Sequence, residues 1–143
     1  MKKKKVILDC NIWISYAIGK SVSGDVRKIV LHRQIEVLAS EELIREFTEV
    51  AKRPKLQKYL SEEHLLEAVS LLQELVTIVD VNSKISLVRD KKDDYLLALS
   101  ADGGADYLVT GDQDLLVLGR YGTTQIMTLK HFLAVAEKLI MNS

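Results

Sequence analysis

The stretch Val6-Ile7-Leu8-Asp9-Cys10-Asn11 decides the fold. Three apolar residues run without a break and end on an acid. A short unbroken apolar run reads as a strand covered on both faces, as strands of parallel sheets are. Residues 5–9 are therefore expected to form a buried strand, and residues 12–18 the first helix, opening directly after the acidic turn.

Outward from this stretch the same alternation continues. Residues 35–39, 76–81, 107–109 and 125–127 read as strands. Helices are expected over residues 25–33, after Ser40, over 94–101, over 113–118, and after Thr128 to about residue 139. Ser40 is a good N-cap for a helix with Leu43, Ile44, Phe47 and Val50 on one side. Pro54 breaks that helix, and a short one through Tyr59 follows. Ser61-Glu62-Glu63 opens another helix, with an apolar stripe of Leu65, Leu66, Val69, Leu72 and Leu75. Gly103-Gly104 is a helix stop. Strands alternating with helices predict a parallel sheet flanked by helices on both faces. With no linker, repeat or low-complexity segment, one domain is expected over residues 1–143.

Composition narrows the function. Apolar residues make up 48% of the 143 residues, enough for an ordinary core. Twenty basic and 20 acidic side chains cancel, so no global basic field points to constitutive nucleic-acid binding. Cys10 is the one cysteine, which excludes an internal disulfide framework. Lys2 to Lys5 before Val6-Ile7-Leu8 resembles the start of a signal peptide, but Asp9 and Asn11 break the apolar run at once. No run approaches the length of a membrane span, and the expected location is the cytoplasm.

Four acids in or just after apolar stretches carry the functional signal: Asp9, Glu46, Asp93 and Asp112. In open α/β sheets, ligands bind beyond the carboxyl ends of the strands. Asp9 and Asp112 lie at two such ends. Asp93 opens a helix after another strand, and Glu46 arrives on a helix. Converging carboxylates repel one another unless a cation or proton neutralises them. Several carboxylates with no histidine suit Mg²⁺ or Mn²⁺ better than Zn²⁺. Such a centre suits phosphodiester hydrolysis. The glycines at 103, 104 and 111 form no nucleotide-binding pattern.

These residues resemble a family. Residues 6–13 look like the opening of a PIN domain. Asp90-Lys91-Lys92-Asp93-Asp94-Tyr95-Leu96 resembles its central acidic motif, with Lys91 where a proline is usual. Thr110-Gly111-Asp112 within residues 105–116 resembles its last motif, and Glu46 with Arg53-Pro54-Lys55 the second. The resemblance implies a three-layer α/β/α sandwich with a central five-stranded parallel sheet. It implies a Mg²⁺- or Mn²⁺-dependent ribonuclease, of the kind found as VapC-like toxins. Such toxins pair with a small antitoxin and commonly dimerise. By this resemblance the catalytic and metal-binding acids are Asp9, Glu46, Asp93 and Asp112. Asn11 and Thr110 would orient them, Asp114 matches an extra acid, and Asp94 competes with Asp93 for the ligand role.

Plainer readings stand beside these. Asp9 and Asp112 could simply cap helices, and Asp93 could belong to a solvated charge run. Glu46 could sit in an ordinary helix ion pair, yet Glu42, Leu43, Glu49 and Val50 at the helical neighbour positions offer no cation. Lys52, Arg53, Lys55 and Lys58 form either a solvated face or a basic rim for RNA. Trp13 and Tyr16 are expected in the core, Cys10 as a small core residue, and His32, His64 and His131 away from the chemistry. Two rivals to the nuclease remain. One is a silent module that binds RNA or an antitoxin. The other is an acidic-pocket phosphohydrolase, against which Asn11 stands where an Asp-x-Asp motif needs its second acid.

Overall fold

The computed structural model of the chain describes residues 2–19, 23–84 and 91–141. Residues 20–22, Asp90 and the side chains of His64, Lys91 and Lys92 fall outside that description.

The central strand is β1 (Lys4–Leu8), whose Val6, Ile7 and Leu8 are wholly buried. Parallel strands flank it on both sides: β2 (Ile35–Ala39), with Val6 opposite Val37, and β4 (Tyr107–Val109), with Leu8 opposite Val109. The short β3 (Thr77–Ile78) extends the sheet beyond β2, and β6 (Thr124–Met127) pairs parallel to β4. These are the five parallel strands the sequence led us to expect. A sixth, β5 (Arg120–Tyr121), adds an antiparallel edge to β6, giving the order β3-β2-β1-β4-β6-β5. Its two residues are too few for a period-2 signal. A tight turn with Gly122 at φ 60° makes the hairpin, a backbone region that glycine enters without strain.

Eight helices connect and cover the strands among the described residues. They are α1 (Cys10–Ala17), α2 (Ser23–Leu31), α3 (Glu41–Ala51) and α4 (Pro54–Gln57), then α5 (Glu62–Glu74), α6 (Lys91–Gly103), α7 (Gln113–Leu116) and α8 (Leu129–Met141). Ser40 caps α3 through its Oγ, which accepts from the Leu43 amide at 3.2 Å. Pro54 stands at the start of α4, where its missing N–H costs nothing. Helix α6 stops where Gly104 takes φ 63°. At Gly103 a Cβ would come within 2.8 Å of Leu38 Cδ1 and 3.3 Å of Val79 Cγ2, so the helix end approaches the sheet closely there.

Two expectations shift. Helix α1 opens at Cys10, directly after Asp9, and α6 at Lys91, so Asp93 and Asp94 both stand in the first turn of α6. The stripe of α5 is only partly covered: Leu72 is buried, while Leu66 is 66% exposed. Trp13 is buried and packs edge-on against Tyr16, with ring centroids 6.4 Å apart. Phe47 on α3 is 1% exposed within the main core. Replacing it with alanine is expected to destabilise the fold by about 3–5 kcal/mol, read as a lower urea midpoint with unchanged slope.

Candidate metal centre

Strand pairing builds the site. The Asp9 amide donates to the Val109 carbonyl at 2.9 Å, so the chain leaves β1 and β4 side by side. Asp9 and Thr110 are the next residues out, and both are buried. Thr110 Oγ1 donates to Asp9 Oδ2 at 2.6 Å and accepts from the Asp112 amide at 3.0 Å. One hydroxyl thus ties the end of β1 to the loop after β4. Asp112 caps α7: its Oδ1 accepts from the Asp114 amide at 2.8 Å. This turn carries Asp114 to the same side as Asp112. Asp93, buried in the first turn of α6, completes a cluster. Carboxylate oxygens of Asp93, Asp112 and Asp114 lie within 4.8 Å of one another.

Asp94 is buried beside Asp93 on α6. Glu46 on α3 is half-buried, and its Oε2 accepts from the Tyr95 hydroxyl. Neither Asp9 nor Glu46 belongs to the tight triad among the described residues. Asn11 exposes its side chain on α1, and its backbone amide stands by the Asp9 carboxylate. Tyr95 was not legible as part of the site: its partner is 49 positions away on another helix. Its one sequence signal is a polar tip among apolar helix residues, two positions after Asp93.

The electrostatics reflect the crowding. Burial raises the Asp9 carboxyl above its usual 3.8, and the charge of Asp112 adds to the rise. The Thr110 hydroxyl and the Cys10 and Asn11 amides pull the other way without cancelling it. The Tyr95 hydroxyl is pushed upward, first by burial and then by Glu46, so it remains a donor. Burial, Glu46 and Asp9 push the Cys10 thiol up to about 12, against the pull of Arg53. Cys10 is therefore inert packing, as expected. It should resist a thiol-specific disulfide reagent at pH 8 in the native protein and react fully once unfolded in denaturant.

The basic residues cluster in the chain near Glu46. Lys52, Arg53, Lys55 and Lys58 are all exposed where α3 gives way to α4. Arg53 lines a groove of about 240 Å³ together with Glu46, Arg45 and Tyr95. His32 is used locally, its Nδ1 accepting from the Gln34 amide at 3.0 Å.

The donor set of the triad is three hard oxygens, with no imidazole or thiolate. It suits a hard divalent cation and not the nitrogen and sulfur preference of structural zinc.

A profile of the PIN domain matches residues 5–114. An uncharacterized protein of Methanocaldococcus jannaschii is 27% identical over 118 residues, covering 81% of this chain and 76% of that protein. VapBC2 from Rickettsia felis, solved bound to a DNA fragment from its promoter, contains a similar chain. The match has a TM-score of 0.56 and 16% identity, over 85% of this chain and 96% of that one. Mycobacterium tuberculosis VapC20, a toxin that cleaves the sarcin-ricin loop, matches with a TM-score of 0.56 and 13% identity. That match spans 84% of this chain and 98% of the other. At these identities the two structural likenesses are likenesses of fold.

Proposed function

The chain belongs to the PIN domain family, and from that premise we propose that it is a Mg²⁺- or Mn²⁺-dependent endoribonuclease, the toxin of a type II toxin–antitoxin pair. The observation that carries this reading is the triad Asp93, Asp112 and Asp114, with oxygens within 4.8 Å of one another at the carboxyl end of a parallel sheet. Asp93, Asp112 and Asp114 would hold the cation, with Asp9 tied in through Thr110 and Glu46 binding it directly or through water. A cation held by these residues would supply charge to polarise a phosphoryl oxygen and to activate a water. Thr110 holds Asp9 and the Asp112 loop in register. Lys52, Arg53, Lys55 and Lys58 would receive phosphates of an RNA strand, which makes binding weaken with added salt.

The partners follow from the same reading: an RNA substrate, a small antitoxin, and a second copy of the chain in a homodimer or higher oligomer. VapC20 of Mycobacterium tuberculosis, a toxin, and VapBC2 of Rickettsia felis share this fold, which supports the toxin assignment without naming this chain's partner. No helix among the described residues is long and apolar enough to cross a membrane.

The test is direct. Purified protein with Mn²⁺ is expected to cleave a mixed RNA pool, and EDTA is expected to stop it. RNA binding without cleavage under any divalent ion would favour a silent binding module. Hydrolysis of small phosphate esters in place of RNA would favour a phosphohydrolase.

A further inference from the structure

Glu46 accepts a hydrogen bond from outside its own helix. Its neighbours three and four residues away on α3 are Glu42, Leu43, Glu49 and Val50, and none can donate to a carboxylate. The Tyr95 hydroxyl does so from α6. That helix also carries Asp93, two residues earlier, whose carboxylate belongs to the triad. Helix α6 therefore carries both a triad acid and the donor that orients Glu46. The chemistry of the donor matters. A phenol is neutral, so it orients a carboxylate without cancelling its charge. An arginine or lysine in its place would compete with a cation for that charge. The ring has few torsions and is half-buried, so it holds the hydroxyl firmly.

We propose that Tyr95 is a positioning residue that fixes the Glu46 carboxylate for divalent-cation binding. Tyr95 touches neither the cation nor the RNA phosphate in this role, and it acts through Glu46 alone. The inference rests on the proposed metal-dependent function and deepens it.

The test is a double-mutant cycle on the full chain, with Mn²⁺ binding read by calorimetry and cleavage kinetics read separately. Tyr95→Phe keeps the ring and removes the donor. It is expected to weaken Mn²⁺ binding about 10-fold, the lower end of what supporting hydrogen bonds to metal ligands contribute. The KM for RNA at saturating Mn²⁺ is expected to stay within about two-fold, because the contact is with an acid and not with substrate. Glu46→Gln should weaken Mn²⁺ binding as well, and adding Tyr95→Phe to it should produce no further loss. Parental Mn²⁺ affinity in Tyr95→Phe overturns the inference. So does a full additional loss on the Glu46→Gln background. A lowered thermal midpoint with unchanged Mn²⁺ affinity assigns Tyr95 a purely structural role and overturns it too. If the unsubstituted protein takes up no Mn²⁺, the proposed function falls and this inference falls with it. Uptake by the unsubstituted protein and Tyr95→Phe alike removes only the role of Tyr95.

Discussion

Replacing Asp112 with asparagine is expected to lower Mn²⁺-dependent RNA cleavage by about 10³-fold or more, equivalent to about 4 kcal/mol of transition-state stabilisation. The fold is expected to survive. Asp112 caps α7, and its Oδ1 accepts from the Asp114 amide at 2.8 Å. Asparagine caps helices as well as aspartate does, and its side-chain oxygen can make the same bond. Its backbone amide still donates to Thr110 Oγ1. The substitution thus removes a charge from the triad and little else. A second readout separates metal loss from other damage. A cation present at about 100 times its dissociation constant stabilises a protein by about 2.7 kcal/mol. For a domain of this size that corresponds to a rise of several degrees in the thermal midpoint, about 6–10 °C. The parent should show this rise with Mn²⁺ and lose it with EDTA. Asp112→Asn should show none. Cleavage at the parental rate by the variant, in a preparation free of contaminating nuclease, would falsify the assignment of Asp112.

Asp9→Asn is expected to match it in lost activity, with a distinct signature in stability. The Asp9 carboxyl is raised above 3.8 in the folded protein, chiefly by burial. Its ionisation therefore costs more in the native state than in the unfolded one. The sign follows from linkage. Below about pH 3.8 the group is protonated in both states and adds no penalty. As pH rises from there through the raised native value, the metal-free protein loses stability, and above that value the loss is complete. Asparagine carries no charge, so the stability difference between Asp9→Asn and parent should be near zero in acid and grow in favour of the variant toward neutral pH. Asparagine has one acceptor fewer for the Cys10 and Asn11 amides, which tempers the gain, while Thr110 keeps its bond. Thermal melts in EDTA at several pH values measure this. A gap that shrinks with rising pH would show that Asp9 ionisation stabilises the metal-free fold. Mn²⁺ should then reverse the order, because only the parent gains from it.

The parts legible in the sequence share a physical cause. Val6-Ile7-Leu8 and Tyr107-Leu108-Val109 are unbroken apolar runs because both faces of a parallel strand are covered, and the wholly buried Val6, Ile7 and Leu8 bear this out. Ser40 and Thr128 could be read as caps because capping is local: each accepts an amide three residues on. The antiparallel β5 was not legible, since two residues carry no period. The early start of α6 was hidden because Lys91, Lys92, Asp93 and Asp94 look like a solvated run, yet Asp93 and Asp94 are buried. Asp114 read as an accessory acid, and the Asp112 cap turn puts it in the triad. Tyr95 is the clearest case. No helical spacing links it to Glu46, and only the approach of α3 to α6 makes the bond.

By itself the amino-acid order determined which segments become strands and helices, and that acids stand at their ends. Those properties depend on burial periodicity and on caps a few residues long. Which acids meet was decided by the tertiary structure alone. Parallel pairing of β1 with β4 brings Asp9 to Thr110 across 101 positions, and the fold brings Tyr95 of α6 within reach of Glu46 on α3. A contact of that kind costs chain entropy that only the assembled core offsets, so no local pattern records it.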